Sequence, residues 1–198
     1  MPRPSVPYVV PWTGETTPLG DIVISALGVA YANPVRDAYQ ADLDGVLWAL
    51  CGGTQTGGPA YAKELHPMRQ KAVMMRPLCA GCKELPERDE RGTLLLLRLL
   101  DDALDTVWEG VRTVIPPMCE DCADEAKENC PRLLDGHVEL RVREAEKVGV
   151  RGTLHPRFGE SVEPDPDAVV LYDTPDRWLN GLPTSYGMAA APHLESTP

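Results

Sequence analysis

"PPMCEDCADEAKENCPRLL", residues 116–134, sets Cys119, Cys122 and Cys130 into one short stretch behind two prolines. Acidic side chains fill the turn after Cys119, where the positive end of a helix dipole favours them, and Pro131 follows Cys130 and stops the pattern. The stretch therefore predicts one short helix with Cys119 and Cys122 in its first turn. Upstream, "CAGC" supplies a matching pair, Cys79 and Cys82, separated from the second by the 36 residues 83–118. Two such pairs give four soft thiolates, the ligand set of a closed tetrahedral zinc site, with Zn–S bonds of about 2.3 Å. Two intervening residues let each chain segment turn tightly enough for both sulfurs to face one ion, and Gly81 eases the first turn.

The third cysteine of the opening stretch is a different case. Cys130 lies eight residues after Cys122, which places it ~12 Å along a helix axis and outside any shared coordination sphere. It is expected to be a core thiol under the helix C-terminus, and Cys51 is read the same way. Glu120 and Asp121 add negative charge beside a site that is already anionic, the one local inconsistency in the zinc reading. Iron–sulfur motifs place three ligands closer together than here, and no βαβ pattern surrounds either pair to suggest a thioredoxin-like centre.

The segments around the pairs read as strands. "GTLLLLRLL" (92–100) and "WEGVRTVIPP" (108–117) predict a hairpin joined by "DDALDTV", and "HVELRVR" (137–143) alternates apolar and charged residues as a half-buried strand does. "DIVISALGVAY" (21–31), "LDGVLWALCGG" (43–53), "VGVRGTL" and "DAVVLYD" are further strand candidates. "AKELHPMRQKAVMMRPLCAGC" carries Leu65, Met68, Ala72 and Met75 at helical spacing, with Pro67 tolerated at a helix start. Knuckle, hairpin and helix in that order make an α+β domain built around a treble-clef-like zinc site, with additional strands. Residues 1–20 are expected to form an extended arm, 21–180 a single zinc-containing domain, and 181–198 a disordered tail.

The totals narrow the function. At 198 residues, 43% hydrophobic and 25% charged, the chain is long enough for one globular core. Its net charge of -11 would repel a polyanion. Residues 84–128 hold 13 acidic against 5 basic side chains, while Lys63, Arg69, Lys71 and Arg76 face only Glu64 in the segment before. Those four cations are the candidate binding residues of a nucleic-acid-binding regulator, a reading the overall charge disfavours. No apolar run approaches the roughly 20 residues that span a bilayer. Neither does the proline-broken N-terminus read as a signal peptide, so a cytoplasmic protein without membrane contact is expected.

Several motifs invite catalytic readings and fail on their own chemistry. "GGTQTGGPAY" lacks the lysine and hydroxyl residue with which a phosphate loop grips its ligand. "HVE" at 137–139 follows the cysteine pairs, whereas deaminases place that element before them and on a helix. HNH-type nucleases built on treble clefs need a histidine on the hairpin, and residues 83–118 contain none. An enzyme would have to draw on His66, Arg69, His137 or His155 around a cleft. With all four cysteines committed, the zinc keeps no open position for water, and a structural role follows.

Taken together, "VPYVVPWTGE", "HPMRQKAVMMRPLCAGC", "PPMCEDCADEAKENCPRL", "GHVELRVR" and "GVRGTL" resemble a group of small actinobacterial proteins, some of them phage-associated, that carry two CxxC pairs. The likeness covers most of residues 5–180. It implies zinc binding at Cys79, Cys82, Cys119 and Cys122, implies that Cys130 belongs to the family pattern, and implies no activity. The expectation is a non-catalytic binding or adaptor protein whose partner is another protein, held together by one structural zinc.

Overall fold

The computed structural model describes residues 6–17, 20–35, 46–99, 112–156, 158–171 and 190–193. In chain order its strands are β1 (Glu15–Thr16), β2 (Ile22–Ser25), β3 (Gly28–Tyr31), β4 (Gly52–Gly53), β5 (Arg88–Asp89), β6 (Gly92–Arg98), β7 (His137–Val142), β8 (Glu144–Lys147), β9 (Gly149–Leu154), β10 (Asp165–Leu171) and β11 (Ala190–His193). The helices whose full extent lies among the described residues are α1 (Pro67–Met75), α2 (Glu120–Asn129) and α3 (Pro131–Leu134). The architecture is mixed α+β, with short helices and small antiparallel sheets.

β6 is the central strand of the one three-stranded sheet among the described residues, in the order β5-β6-β7. Its four successive leucines are all buried, and the two-residue period of a strand sends them to opposite faces. Leu94 and Leu96 enter a cluster with Val73, Cys79, Met118, Cys119, Cys122 and Ala123. Leu95 and Leu97 enter another with Leu140 and Val142 of β7, whose register sets Leu95 against Leu140 and Leu97 against Val138. A third cluster gathers Tyr31, Leu47, Trp48 and Val150.

The structure departs from the sequence expectations at several points. "DIVISALGVAY" is two strands, not one. β2 and β3 pair through a turn in which Ser25 Oγ accepts from the Leu27 amide and donates to the Gly28 carbonyl, both at 3.2 Å, while Gly28 takes φ of 120°. Residues 46–50 are buried as expected of "LDGVLWALCGG", yet they form no strand: Leu47 makes an isolated bridge, and the strand in this segment is Gly52–Gly53, paired with β1. The expected partner of β6 across "DDALDTV" is not a ladder strand in its described part. Residues 112–118 meet β6 through one bridge, Leu94 to Met118, and β6 pairs with β7 instead. Pro116 and Pro117 have no amide hydrogen to give a ladder, which accounts for the difference. The loop 101–107 and residues 108–111 lie outside the described residues.

α1 occurs where expected but turns the other way. Arg69, Gln70, Val73 and Met74 are buried, whereas Met68 and Met75 are exposed. Apolar spacing misassigned the face because two polar side chains go inward with partners of their own: Gln70 Nε2 donates to the Val114 carbonyl at 2.6 Å, and Arg69 pairs with Glu15. Within the expected tail, Ala190–His193 pair antiparallel with β8; 181–189 and 194–198 lie outside the described residues.

Truncating a leucine shared with the cysteine-bearing cluster should cost more than a surface change. Leu96→Ala is expected to lower unfolding free energy by about 2–5 kcal/mol in a urea titration, against less than about 0.5 kcal/mol for a surface control such as Glu87→Ala.

Candidate metal centre

Cys79, Cys82, Cys119 and Cys122 converge although 36 residues separate the two pairs: their sulfurs all lie within 4.8 Å of one another. Cys79 and Cys82 sit on a turn after α1, closed by the Lys83 amide donating to the Cys79 carbonyl at 2.9 Å and by the Cys79 amide donating to the Glu84 carbonyl at 2.8 Å. Cys119 and Cys122 sit at the cap and first turn of α2. The two halves are stitched by the Ala80 amide donating to the Pro117 carbonyl at 2.8 Å.

Cys79 Sγ is 3.5 Å from Cys119 Sγ, and Cys82 Sγ is 3.8 Å from Cys119 Sγ. Those separations are far beyond a disulfide bond of about 2.05 Å. They match the edge of about 3.8 Å that a tetrahedron with 2.3 Å metal–sulfur bonds requires. Cys79 Sγ also accepts the Gly81 and Cys119 amides, each at 3.3 Å, which favours the thiolate. Burial, followed by the neighbouring sulfurs of Cys119 and Cys79, pushes the Cys122 thiol far above the ordinary cysteine range. Four such groups cannot all ionise together unless a cation compensates them, and a divalent metal deprotonates coordinating thiols outright. Donor chemistry and spacing therefore fit a metal ion held by these four residues.

Gly81 is required by close approach. A Cβ there would lie 2.6 Å from Cys122 Cβ and 2.7 Å from Cys122 Sγ, so no other residue passes between the two pairs without moving α2. The N-terminal arm covers the same turn: the Tyr8 and Val9 amides donate to the Gly81 and Ala80 carbonyls at 2.8 and 3.1 Å. The charge of Glu120, which sequence alone sets against the site, is met by an ion pair with Arg141 of β7. Cys130 stands outside the quartet at the α2–α3 junction, half-buried instead of a buried core thiol, and Cys51 is likewise half-buried.

The other candidate residues are spread differently. Arg69 is buried against Glu15 and donates from Nη1 to the Tyr8 carbonyl at 3.0 Å. Lys63 Nζ donates to the Glu15 carbonyl at 2.9 Å, Lys71 lies 4.1 Å over the Trp48 ring, and Arg76 is exposed at the α1 C-terminus. His66 caps α1 beside Arg69, whereas His137 is exposed at the start of β7 and His155 follows β9. Glu15 was not among the expected functional residues. Its signal is indirect: a buried arginine requires a carboxylate, and sequence spacing does not say which one.

Adding a Cβ at Gly81 should disturb the metal centre specifically. Gly81→Ala is expected to weaken Co²⁺ binding at least about tenfold, read from thiolate-to-metal charge-transfer absorption under competition with a chelator. Acid should act at a second place. Burial first, and then the Arg69 charge, hold His66 below the ordinary histidine range, with Glu15 opposing; burial does the same to His155. A depressed folded-state value means this stability is complete above the unfolded histidine pKa near 6.5 and is lost as pH falls through the folded value. Between about pH 7.5 and about pH 5.5 the melting temperature should therefore fall further for the native chain than for His66→Asn, which keeps a capping oxygen.

No protein-family model matches the chain, nor does any curated protein or solved structure. The likeness to small actinobacterial and phage-associated proteins gains no support from these comparisons; of that reading the structure shows that Cys79, Cys82, Cys119 and Cys122 lie close enough to hold a metal ion.

Proposed function

We propose that the chain is a zinc-binding, non-catalytic binding or adaptor module in which Cys79, Cys82, Cys119 and Cys122 hold one structural zinc in a treble-clef-like setting. The observation that carries this reading is the closed donor set. Four sulfurs within 4.8 Å of one another fill every position of a tetrahedral ion and leave none for water or substrate. Zinc is favoured by four thiolates spaced for a tetrahedral ion. Such an ion contributes folding free energy directly, because the unfolded chain offers no preformed site.

The partner we propose is another protein, in the cytoplasm. The net charge of -11 disfavours a polyanion, and three of the four candidate cations are engaged, Lys63 with the Glu15 carbonyl, Arg69 with the Glu15 carboxylate and Lys71 over Trp48. Among the described residues no helix is long and apolar enough to cross a membrane. Leu27, 97% exposed at the β2–β3 turn, together with half-exposed Val23, offers apolar surface to a protein partner.

Elemental analysis of the purified chain is expected to find one zinc per molecule. Joint replacement of Cys79 and Cys119 by serine should abolish it and collapse the circular dichroism spectrum, while Cys130→Ser should leave both intact. A chain without stoichiometric zinc, or one whose fold survives the double replacement, would overturn the structural-metal reading. Turnover of a substrate at the bound zinc would overturn its non-catalytic part.

A further inference from the structure

Away from the sulfur quartet, the N-terminal arm and the start of α1 enclose a recess of about 270 Å³. Glu15, Lys63, Glu64 and His66 line it with polar groups, and Pro11 and Leu65 with apolar ones. His66 Nδ1 accepts the Arg69 amide at 3.4 Å as the cap of α1, so in the neutral ring the hydrogen resides on Nε2. That Nε2 stands 3.8 Å from Glu15 Oε1, beyond hydrogen-bond reach. Glu15 Oε2 is already occupied by the Arg69 guanidinium and by the Trp12 amide at 2.8 Å. Among the described residues no hydrogen bond reaches Oε1. The two side chains are 14% and 9% exposed, so a donor and an acceptor, both largely removed from solvent, stand a short gap apart without a protein group between them.

A hydroxyl group lying to the side of these two atoms, in the recess, can bond both, because it accepts from the one and donates to the other. The surrounding charge narrows the ligand further. Arg69 offsets Glu15, Arg132 lies 3.6 Å from Glu64, and Lys63 Nζ donates to the Glu15 carbonyl, so a ligand anion or a ligand cation would each have to compete with one of these pairings. A neutral molecule rich in hydroxyls avoids both costs, with Lys63 and Glu64 left to bond its outer oxygens. Pro11 and Leu65 suit the C–H face of a sugar-like ring. The volume is at the small end of ligand sites, which usually span roughly 300–1,000 Å³, and admits one ring.

We propose that this recess binds a small neutral polyhydroxylated ligand of single-sugar size, with one hydroxyl bridging His66 Nε2–H and Glu15 Oε1. The site is separate from the zinc reading and stands or falls without it.

Saturation-transfer NMR and chemical-shift titration of the full metal-loaded chain, with D-glucose, D-ribose and myo-inositol as probes and acetate and ethylammonium as comparators, test the proposal. At least one polyol is expected to bind in the millimolar range. His66→Asn keeps a capping oxygen but removes the Nε2 donor, and should weaken binding about tenfold with circular dichroism and metal content unchanged. If that variant fails to fold, Lys63→Met, which leaves the cap and the Glu15–Arg69 pair in place, should weaken the same polyol severalfold. Absence of binding by all three polyols, equal binding by the folded variant, or tighter binding of acetate or ethylammonium would each overturn the proposal.

Discussion

Four sulfurs share one buried volume, and electrostatics forbids them to stay there as ions without a counter-charge. The rest of the structure is arranged around that constraint. Cys79, Cys119 and Cys122 belong to the same apolar cluster as Val73, Leu94, Leu96 and Met118, so they form part of a wall of the main core instead of decorating its surface. A metal ion held there would join the turn after α1 to the start of α2, and through them the arm that hydrogen-bonds to Ala80 and Gly81. Removing it would leave a buried cluster of thiols where a small core has little apolar packing to spare.

Sequence reading recovered what depends on local chemistry. The cysteine spacing, the acidic first turn and the stop at Pro131 located α2 within a residue, because each of those signals acts on its own few neighbours. β7 was legible for the same reason: alternation in "HVELRV" is a property of one strand. The partner of β6 was not. Pairing depends on which edge a distant segment reaches, and β7, some forty residues downstream of β6, took the place expected for the nearer segment. The buried face of α1 was misread because period counts apolar residues only. It cannot weigh an inward-facing arginine and glutamine whose partners, Glu15 and the Val114 carbonyl, lie far away in sequence.

The same limitation hid the recess. Each of its polar residues looks ordinary alone: Glu15 in a threonine-rich arm, Lys63 and Glu64 as a solvated pair, His66 before a proline. Only the fold brings the arm to α1, through the His66 amide donating to the Val9 carbonyl at 2.8 Å and the Ala60 amide donating to the Pro11 carbonyl at 2.8 Å. The arm is therefore more than a covering for the metal turn. It supplies the carboxylate that lets Arg69 be buried, and so lets α1 turn the face it does.

The four leucines of β6 have a consequence of their own. A strand with four leucines in succession looks alike to both of its cores, so sliding it by one residue along β7 would exchange Leu94 and Leu96 for Leu95 and Leu97 at little cost in hydrophobicity. Register must then be pinned at the strand's end. Gly92 does this: at φ of 114° its missing side chain leaves room for the Val142 carbonyl, which a Cβ there would approach to 2.2 Å. A slip that brought Thr93 to that place would collide with the neighbouring backbone. One absent methyl group thus gives an otherwise degenerate strand a single alignment.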